Sequence, residues 1–225
     1  MTRFYRQKTF LTNIVSNPDI LNRYLVSLYS FFLICGALLY LIPTTRNLTI
    51  GTTELFVIIL SLGVIWRAIG WKPLYLIPVF ILTFVLEVLG SNYGIVFGQY
   101  DYTKLWKLQL FGTPLAIGLL WIMISICGWS LVQDLKTESK TLKVILGAAA
   151  VTLYDVVLEQ VAIRQGYWKW QNGVIPLTNY LSWFLIAIIT IGYLSYFPLC
   201  KNSKAVGRWV FFTTLIYFVV LIVVK

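Results

Sequence analysis

Seven long apolar runs follow one another along this chain, separated by short connections, with no polar domain or low-complexity linker between them. They fall at about 24–42, 53–69, 74–97, 114–132, 144–163, 180–197 and 209–224. Roughly 18 or more apolar residues with few charges suffice to cross the hydrocarbon core of a bilayer as a helix. A hydrophobic fraction of 59 %, a charged fraction of 12 % and a mean hydropathy of +0.82 belong to the same class. The expected fold is therefore all-α: a polytopic integral membrane protein of about seven transmembrane helices, with residues 1–225 as a single transmembrane domain. No internal repeat is visible.

The net charge of +10 would on its own suit a nucleic-acid binder. Its distribution points to membrane topology instead, and nucleic acid is not an expected partner. Twelve of the eighteen basic residues lie at the N-terminus or in alternate loops. They run from Arg3, Arg6, Lys8 and Arg23 through Arg67, Lys72, Lys136, Lys140 and Lys143 to Lys201, Lys204 and Arg208. Arg46, Lys104, Lys107, Arg164, Lys169 and Lys225 occupy the other side. Positive loops stay in the cytoplasm, which puts the N-terminus (residues 1–22) inside, the C-terminus outside, and the chain in the inner, cytoplasmic membrane. The longest outer loops are then 98–113 and 164–179. The first apolar run follows some twenty polar residues and has no small-residue cleavage site, so a removed signal peptide is not expected.

Within this frame the acidic residues are the exception. The chain has only eight, yet Asp155 and Glu159 interrupt the fifth run and Glu87 interrupts the third. Ionisable groups at bilayer depth are costly and mark functional sites by default. Asp155 and Glu159 are four residues apart, so on a helix they share a face. All three acids fall toward the outer side of the membrane. Burial disfavours the charged form of a carboxyl, and a second carboxylate nearby does so again. At least one of the three is thus expected to be protonated at neutral pH and able to act as a general acid. A buried acid can also serve structure alone, paired with Arg164 or Lys169 or bonded to a Tyr or Trp donor. Gly90, Gly94 and Gly98 continue a small-residue stripe from Glu87, which suits close helix packing or a smooth groove for a long, flat chain.

Missing residues narrow the chemistry. The chain has no histidine, which removes the commonest ligand of di-iron oxygenases and the proximal ligand of haem. No dinucleotide fingerprint or P-loop is present. The seventh run lacks the mid-membrane lysine of a retinal protein. Asp155 and Glu159 alone are too sparse for the paired Asp-rich clusters that hold Mg²⁺ and diphosphate. Cys35, Cys127 and Cys200 have no ligand spacing and read as packing residues. No cofactor and no metal are expected. Proton chemistry by carboxyl groups, or ion coupling through them, survives.

Aromatic residues gather where the acids are. Tyr100, Tyr102 and Trp106 lie in one outer loop, and Tyr167, Trp168 and Trp170 in the other, followed by Asn179, Tyr180 and Trp183. Tyr and Trp favour membrane interfaces whatever their function, but such rings also stabilise cations through their faces. Trp121, well inside the fourth run, is not explained as an interface anchor. Glu54 reads as a first-turn acid with Thr52 or Thr53 capping the helix. Asp19, Asp101, Asp134 and Glu138 read as solvated loop charges.

Taken in order, these segments resemble the bisanhydrobacterioruberin and carotenoid end-group hydratases, a family of membrane carotenoid-biosynthesis proteins. The first block is Glu87-Val-Leu-Gly90 with Gly94, Phe97-Gly98-Gln-Tyr100-Asp-Tyr102, and Phe111-Gly112-Thr-Pro114-Leu-Ala-Ile-Gly118-Leu-Leu-Trp121. The second is Asp155-Val-Val-Leu-Glu159, Trp168-Lys-Trp170, Ile175-Pro176-Leu-Thr-Asn179-Tyr180 and Trp183-Phe184. The likeness covers roughly residues 75–190 and departs from the pattern at Gln160, where proline would follow the acid.

The resemblance implies addition of water across the terminal double bond of an acyclic carotenoid, giving a tertiary alcohol without cofactor or metal. Asp155 or Glu159 would protonate the alkene. Trp121, Trp168, Trp170 and Trp183 would face the resulting tertiary cation, with Tyr100 and Tyr102 also binding substrate. The partner acid or Glu87 would take a proton from water held by Asn179. The partners implied are a membrane-dissolved carotenoid, water and the lipid bilayer, with association with other carotenoid-pathway enzymes. The rival readings are a lycopene-cyclase-like enzyme that protonates the same alkene but expels a proton, a proton-coupled transporter, and a non-catalytic pigment scaffold.

Overall fold

A computed structural model describes residues 17–70, 73–200 and 203–223; most of the expected cytoplasmic segment 1–22 lies outside them. Eight helices are present among these residues: α1 (Pro18–Leu41), α2 (Pro43–Gly51), α3 (Thr53–Ile69), α4 (Ile77–Tyr93), α5 (Leu115–Val132), α6 (Lys140–Gln165), α7 (Leu177–Leu194) and α8 (Ser203–Val223). Six are long and apolar enough to cross a membrane, and the pair α2–α3, bent by 52°, makes a seventh crossing if counted as one span. The chain is an all-α, multi-pass membrane protein. The bend follows from sequence. Pro43 holds Ile42 in an extended conformation and opens α2 at its first position, where its missing N–H is not needed.

The interior is organised around α5, with 72 % of its apolar window buried, against 17 % for the peripheral α1. Small residues set its contacts. A Cβ on Gly128 would stand 3.3 Å from the Gly147 carbonyl of α6, and one on Gly207 of α8 would stand 2.5 Å from the Ser130 hydroxyl. Polar bonds join helices at similar depth: Ser125 to Thr190 at 2.8 Å, and the Tyr29 hydroxyl to the Leu60 carbonyl. Such packing and interhelical bonding hold bundles together where lipid supplies no hydrophobic drive. At the membrane face opposite the acids, Asp134 pairs with Lys204 at 2.7 Å and Arg208 at 2.8 Å. Those bonds hold its carboxyl below the ordinary range. The Asp134 charge is solvated but paired, and Asp19 is a first-turn residue of α1, whose Asn17 cap accepts from the amides of Asp19 and Ile20.

Three expectations are corrected. The helix of the third run ends at Tyr93, four residues early, because Gly94 takes the left-handed cap at φ 68°. Gly90, Gly94 and Gly98 therefore form neither a helical stripe nor a groove. A Cβ on Gly90 would meet the Phe97 ring at 2.5 Å, and one on Gly98 (φ 107°) would meet Pro176 at 2.6 Å, so these glycines let the outer loop fold back onto the bundle. Thr52 and Thr53 make no side-chain cap at α3. Glu54 instead accepts the amides of Lys107 at 2.8 Å and Leu108 at 2.9 Å. It latches the loop between α4 and α5 to the bundle.

That loop is not wholly irregular. Strand β1 (Tyr100–Tyr102) pairs antiparallel with β4 (Trp168–Trp170), and β2 (Gln109–Leu110) pairs with β3 (Thr113–Pro114). Removing the latch should free the loop locally. Glu54→Ala strands two amide donors, a loss of about 1–3 kcal/mol, and should expose Lys104 and Lys107 to trypsin in detergent while wild type resists. Equal cleavage rates would refute the latch.

Candidate functional site

The ribbon β1–β4 brings the two outer loops together, and its register decides which side chains reach the interior. Tyr100 lies opposite Trp170, Asp101 opposite Lys169, and Tyr102 opposite Trp168. Successive side chains alternate faces along a strand, so Tyr100, Trp168 and Trp170 are buried while Asp101 and Lys169 are exposed. The rings pack as a continuous layer, with Tyr100 4.9 Å from Trp170, 5.4 Å from Tyr102, and Tyr102 6.0 Å from Trp168.

Beneath this layer lie the acids. Glu87 on α4 is 4 % exposed, Glu159 on α6 is 2 % exposed, and Asp155, one turn before it, is fully buried. Glu87 accepts three hydrogen bonds: Trp121 Nε1 donates to Oε1 at 2.8 Å, and the hydroxyls of Tyr100 and Tyr102 donate to Oε2 at 2.5 and 2.7 Å. Glu159 accepts two at one oxygen, Oε2, from Trp168 Nε1 at 3.0 Å and Trp170 Nε1 at 2.8 Å. Asn179 Nδ2 donates to Asp155 Oδ2 at 2.9 Å, while Asp155 Oδ1 is buried with no partner. The three acids are close enough to act on one another electrostatically. Among the described residues neither lysine nor arginine neutralises them: Lys169 faces outward, and Arg164 donates to the Ile222 carbonyl at 2.5 Å. Indole and phenol donors meet Glu87 and Glu159 instead.

Glu87 and Glu159 open onto one cavity of about 30 Å³, walled also by Tyr100, Tyr102, Trp168, Trp170, Asn179 and Trp183. That is room for roughly one or two water molecules. Trp121 and Asp155 stand one layer back. Trp121 stacks on Trp183 with 4.0 Å between ring centroids, and Asp155 reaches the chamber only through Asn179. Glu87, Glu159 and the ribbon aromatics therefore come together, while Trp121 and Asp155 hold other members in place. Gln160 is exposed on an unbroken α6, so the missing proline leaves the helix regular.

Several residues of the site were not anticipated. Phe97, Ile117, Leu120 and Leu158 complete the chamber wall. Phe97 is held by the turn before it. Val96 adopts φ 80°, a strained conformation for a β-branched residue. Ser182 and Thr178 of α7 donate to the carbonyls of Val96 and Phe97. The repeated ring–charge–ring pattern Tyr-Asp-Tyr and Trp-Lys-Trp is a two-residue period, and it was the signal for the ribbon.

Residues 28–225, most of the chain, match the family model described as carotenoid biosynthesis protein. The chain belongs to that family. No curated protein and no solved structure matches it.

In this carotenoid biosynthesis protein both ribbon phenols donate to Glu87. Burial first, and then Glu87 beside them, push both Tyr100 and Tyr102 well above their ordinary value of 10.0. The protonated phenol is the form that bonds a carboxylate, so both should remain un-ionised where exposed tyrosines titrate. Alkaline titration followed by tyrosinate absorbance tests this. The Tyr100→Phe, Tyr102→Phe double variant should lose no amplitude near pH 10, whereas loss of two residues' worth there would contradict the geometry.

Proposed function

We propose that the protein is a carotenoid hydratase, acting in the cytoplasmic membrane on the acyclic end of a polyene dissolved in the bilayer. One observation carries this reading: two carboxyl groups from different helices open onto a single aromatic-walled chamber, and they differ in their bonding. Glu87 accepts three donors across both oxygens, a set that suits the ionised form. Glu159 accepts at Oε2 alone, so Oε1 is the oxygen left to carry a proton. A pair of carboxyls whose surroundings separate their protonation states is how one site supplies both an acid and a base.

In the proposed reaction, Glu159 Oε1 transfers H⁺ to the inner, hydrogen-bearing carbon of the terminal alkene; the alkene electron pair forms the new C–H bond, and the charge falls on the outer, dimethyl-bearing carbon. The tertiary cation left behind faces Trp168, Trp170, Trp183 and the carboxylate of Glu87, which stabilise it through ring faces and charge. A water oxygen adds to the cation, and Glu87 takes the proton that water loses. Return of that proton to Glu159 closes the cycle, so the net change is alkene plus water to tertiary alcohol. No electrons leave the system. Asn179 lies in the chamber wall beside the place the water would occupy, and Asp155 is a positioning residue that fixes its amide. The ribbon latched by Glu54 closes the site toward the membrane surface and limits water to what the addition needs.

Expression in a host that makes an acyclic carotenoid, with pigment mass analysis, tests this. Glu159→Gln and Glu87→Gln should each lower alcohol formation by roughly 10²- to 10⁴-fold, the usual worth of a positioned proton donor or acceptor. Asp155→Asn and Asn179→Ala should cost less, and their effects should not add, because both act through one bond. Full activity in both glutamine variants would overturn the reading. A pigment of unchanged mass from wild type would favour cyclisation instead.

A further inference from the structure

Three cavities lie in series through the bundle, and the acid chamber is the innermost. It shares Ile117, Leu120, Leu158 and Trp168 with a second cavity of about 80 Å³. The second shares Thr53, Phe56 and Tyr217 with a third of about 320 Å³, which lies between α1 and the bent pair α2–α3. The third cavity is a surface groove. Its walls include Phe32, Leu39, Leu48, Leu55 and Ile59, all exposed. Four of these lie on α1 or α3, within segments that read as membrane-crossing, so they face acyl chains.

The groove's outer rim is also its least anchored element. Helix α2 has no buried residue and turns 52° away from α3. It is tied back to α1 by short-range bonds: the Arg46 guanidinium to the Tyr40 carbonyl at 3.1 Å, and the Thr45 hydroxyl to the Leu39 carbonyl at 2.6 Å. At the inner end, the Thr53 hydroxyl meets that of Tyr167 at 2.5 Å. Thr53, Phe56 and Tyr217 thus stand where the lipid-facing groove gives way to the interior.

We propose that the carotenoid reaches the acids sideways from the bilayer, through the groove between α1 and α2–α3. Thr53, Phe56 and Tyr217 form its inner gate, and the long polyene tail stays in the groove while the reacting end advances. The substrate class is taken from the hydratase reading; the route itself follows from the cavities. A polyene hydrocarbon has no polar group by which water could deliver it, so an apolar path opening on acyl chains is the route its solubility requires. The series narrows from about 320 to 80 to 30 Å³, which suits a thin acyclic end and disfavours a cyclised one. In the closed arrangement the last step passes Trp168, which lines both inner cavities. An indole that bonds Glu159 therefore also stands at the inner threshold.

The test uses full-length protein in lipid nanodiscs with an acyclic carotene as the probe. Photo-crosslinking benzoylphenylalanine replaces Leu39 or Leu48 in the groove, or Ile81 or Leu185 on the lipid-exposed faces of α4 and α7. Crosslinks at Leu39 and Leu48 should exceed those at the two controls several-fold. Thr53→Trp, which fills the gate, should lower conversion, whereas Leu185→Trp should not. If Thr53→Trp does not fold, the crosslinking comparison decides alone. Groove crosslinks without any water addition by wild type would keep the route and reject the hydratase reading. Product formation with equal crosslinking at all four positions, or with Ile81 or Leu185 dominant, would overturn the route and leave that reading intact.

Discussion

Three carboxyl groups within a bilayer-spanning bundle are the constraint on which the rest of this structure depends. Leaving a buried polar group without a partner costs on the order of 1–3 kcal/mol, and a charged one more. No lysine or arginine among the described residues forms an ion pair with them. Their partners are indole N–H, phenol O–H and an amide, drawn from α5, α7 and both outer loops. This choice has a chemical consequence. A cationic partner would fix a carboxylate as a salt bridge, whereas neutral donors bond the anion and leave its basicity available. The same rings present faces that attract positive charge. One set of rings thus bonds Glu87 and Glu159 and lines a space suited to a cation.

The need to bring those donors inward explains features that simple helix packing does not. Helix α4 stops at Gly94, and Val96 accepts a strained φ of 80°, so that Phe97, Tyr100 and Tyr102 can turn back over Glu87. The ribbon aligns these tyrosines with Trp168 and Trp170. Glu54 holds the same loop from α3 through two backbone amides. Strain, ribbon and latch all act on one loop, and the loop is what encloses the chamber.

The helical frame was legible in the sequence because a bilayer leaves few options: long apolar runs become helices, and their number and order follow. The acids were legible for the same reason, since a charge within such a run is conspicuous. What the residues did not disclose was where the chain leaves the helix. Residues 94–97 are apolar and continue the third run by composition, yet a left-handed glycine ends the helix there. Glu54 looked like an ordinary first-turn acid because its partners lie 53 and 54 residues away. Helical spacing places Asp155 on the face of Glu159, and depth in the fourth run sets Trp121 apart from the interface, but neither says which side chains line the chamber. Stacking on Trp183 and bonding to Asn179 set them one layer back, and only three-dimensional packing distinguishes a lining residue from its support.

The origin of the oxygen atom in the product distinguishes hydration most directly from every other reaction at this site. Purified protein in lipid vesicles, given an acyclic carotene in ¹⁸O-labelled water, should form a tertiary alcohol carrying one labelled oxygen per hydrated end. Unlabelled oxygen in the alcohol, or an isomeric product with no oxygen at all, would contradict it.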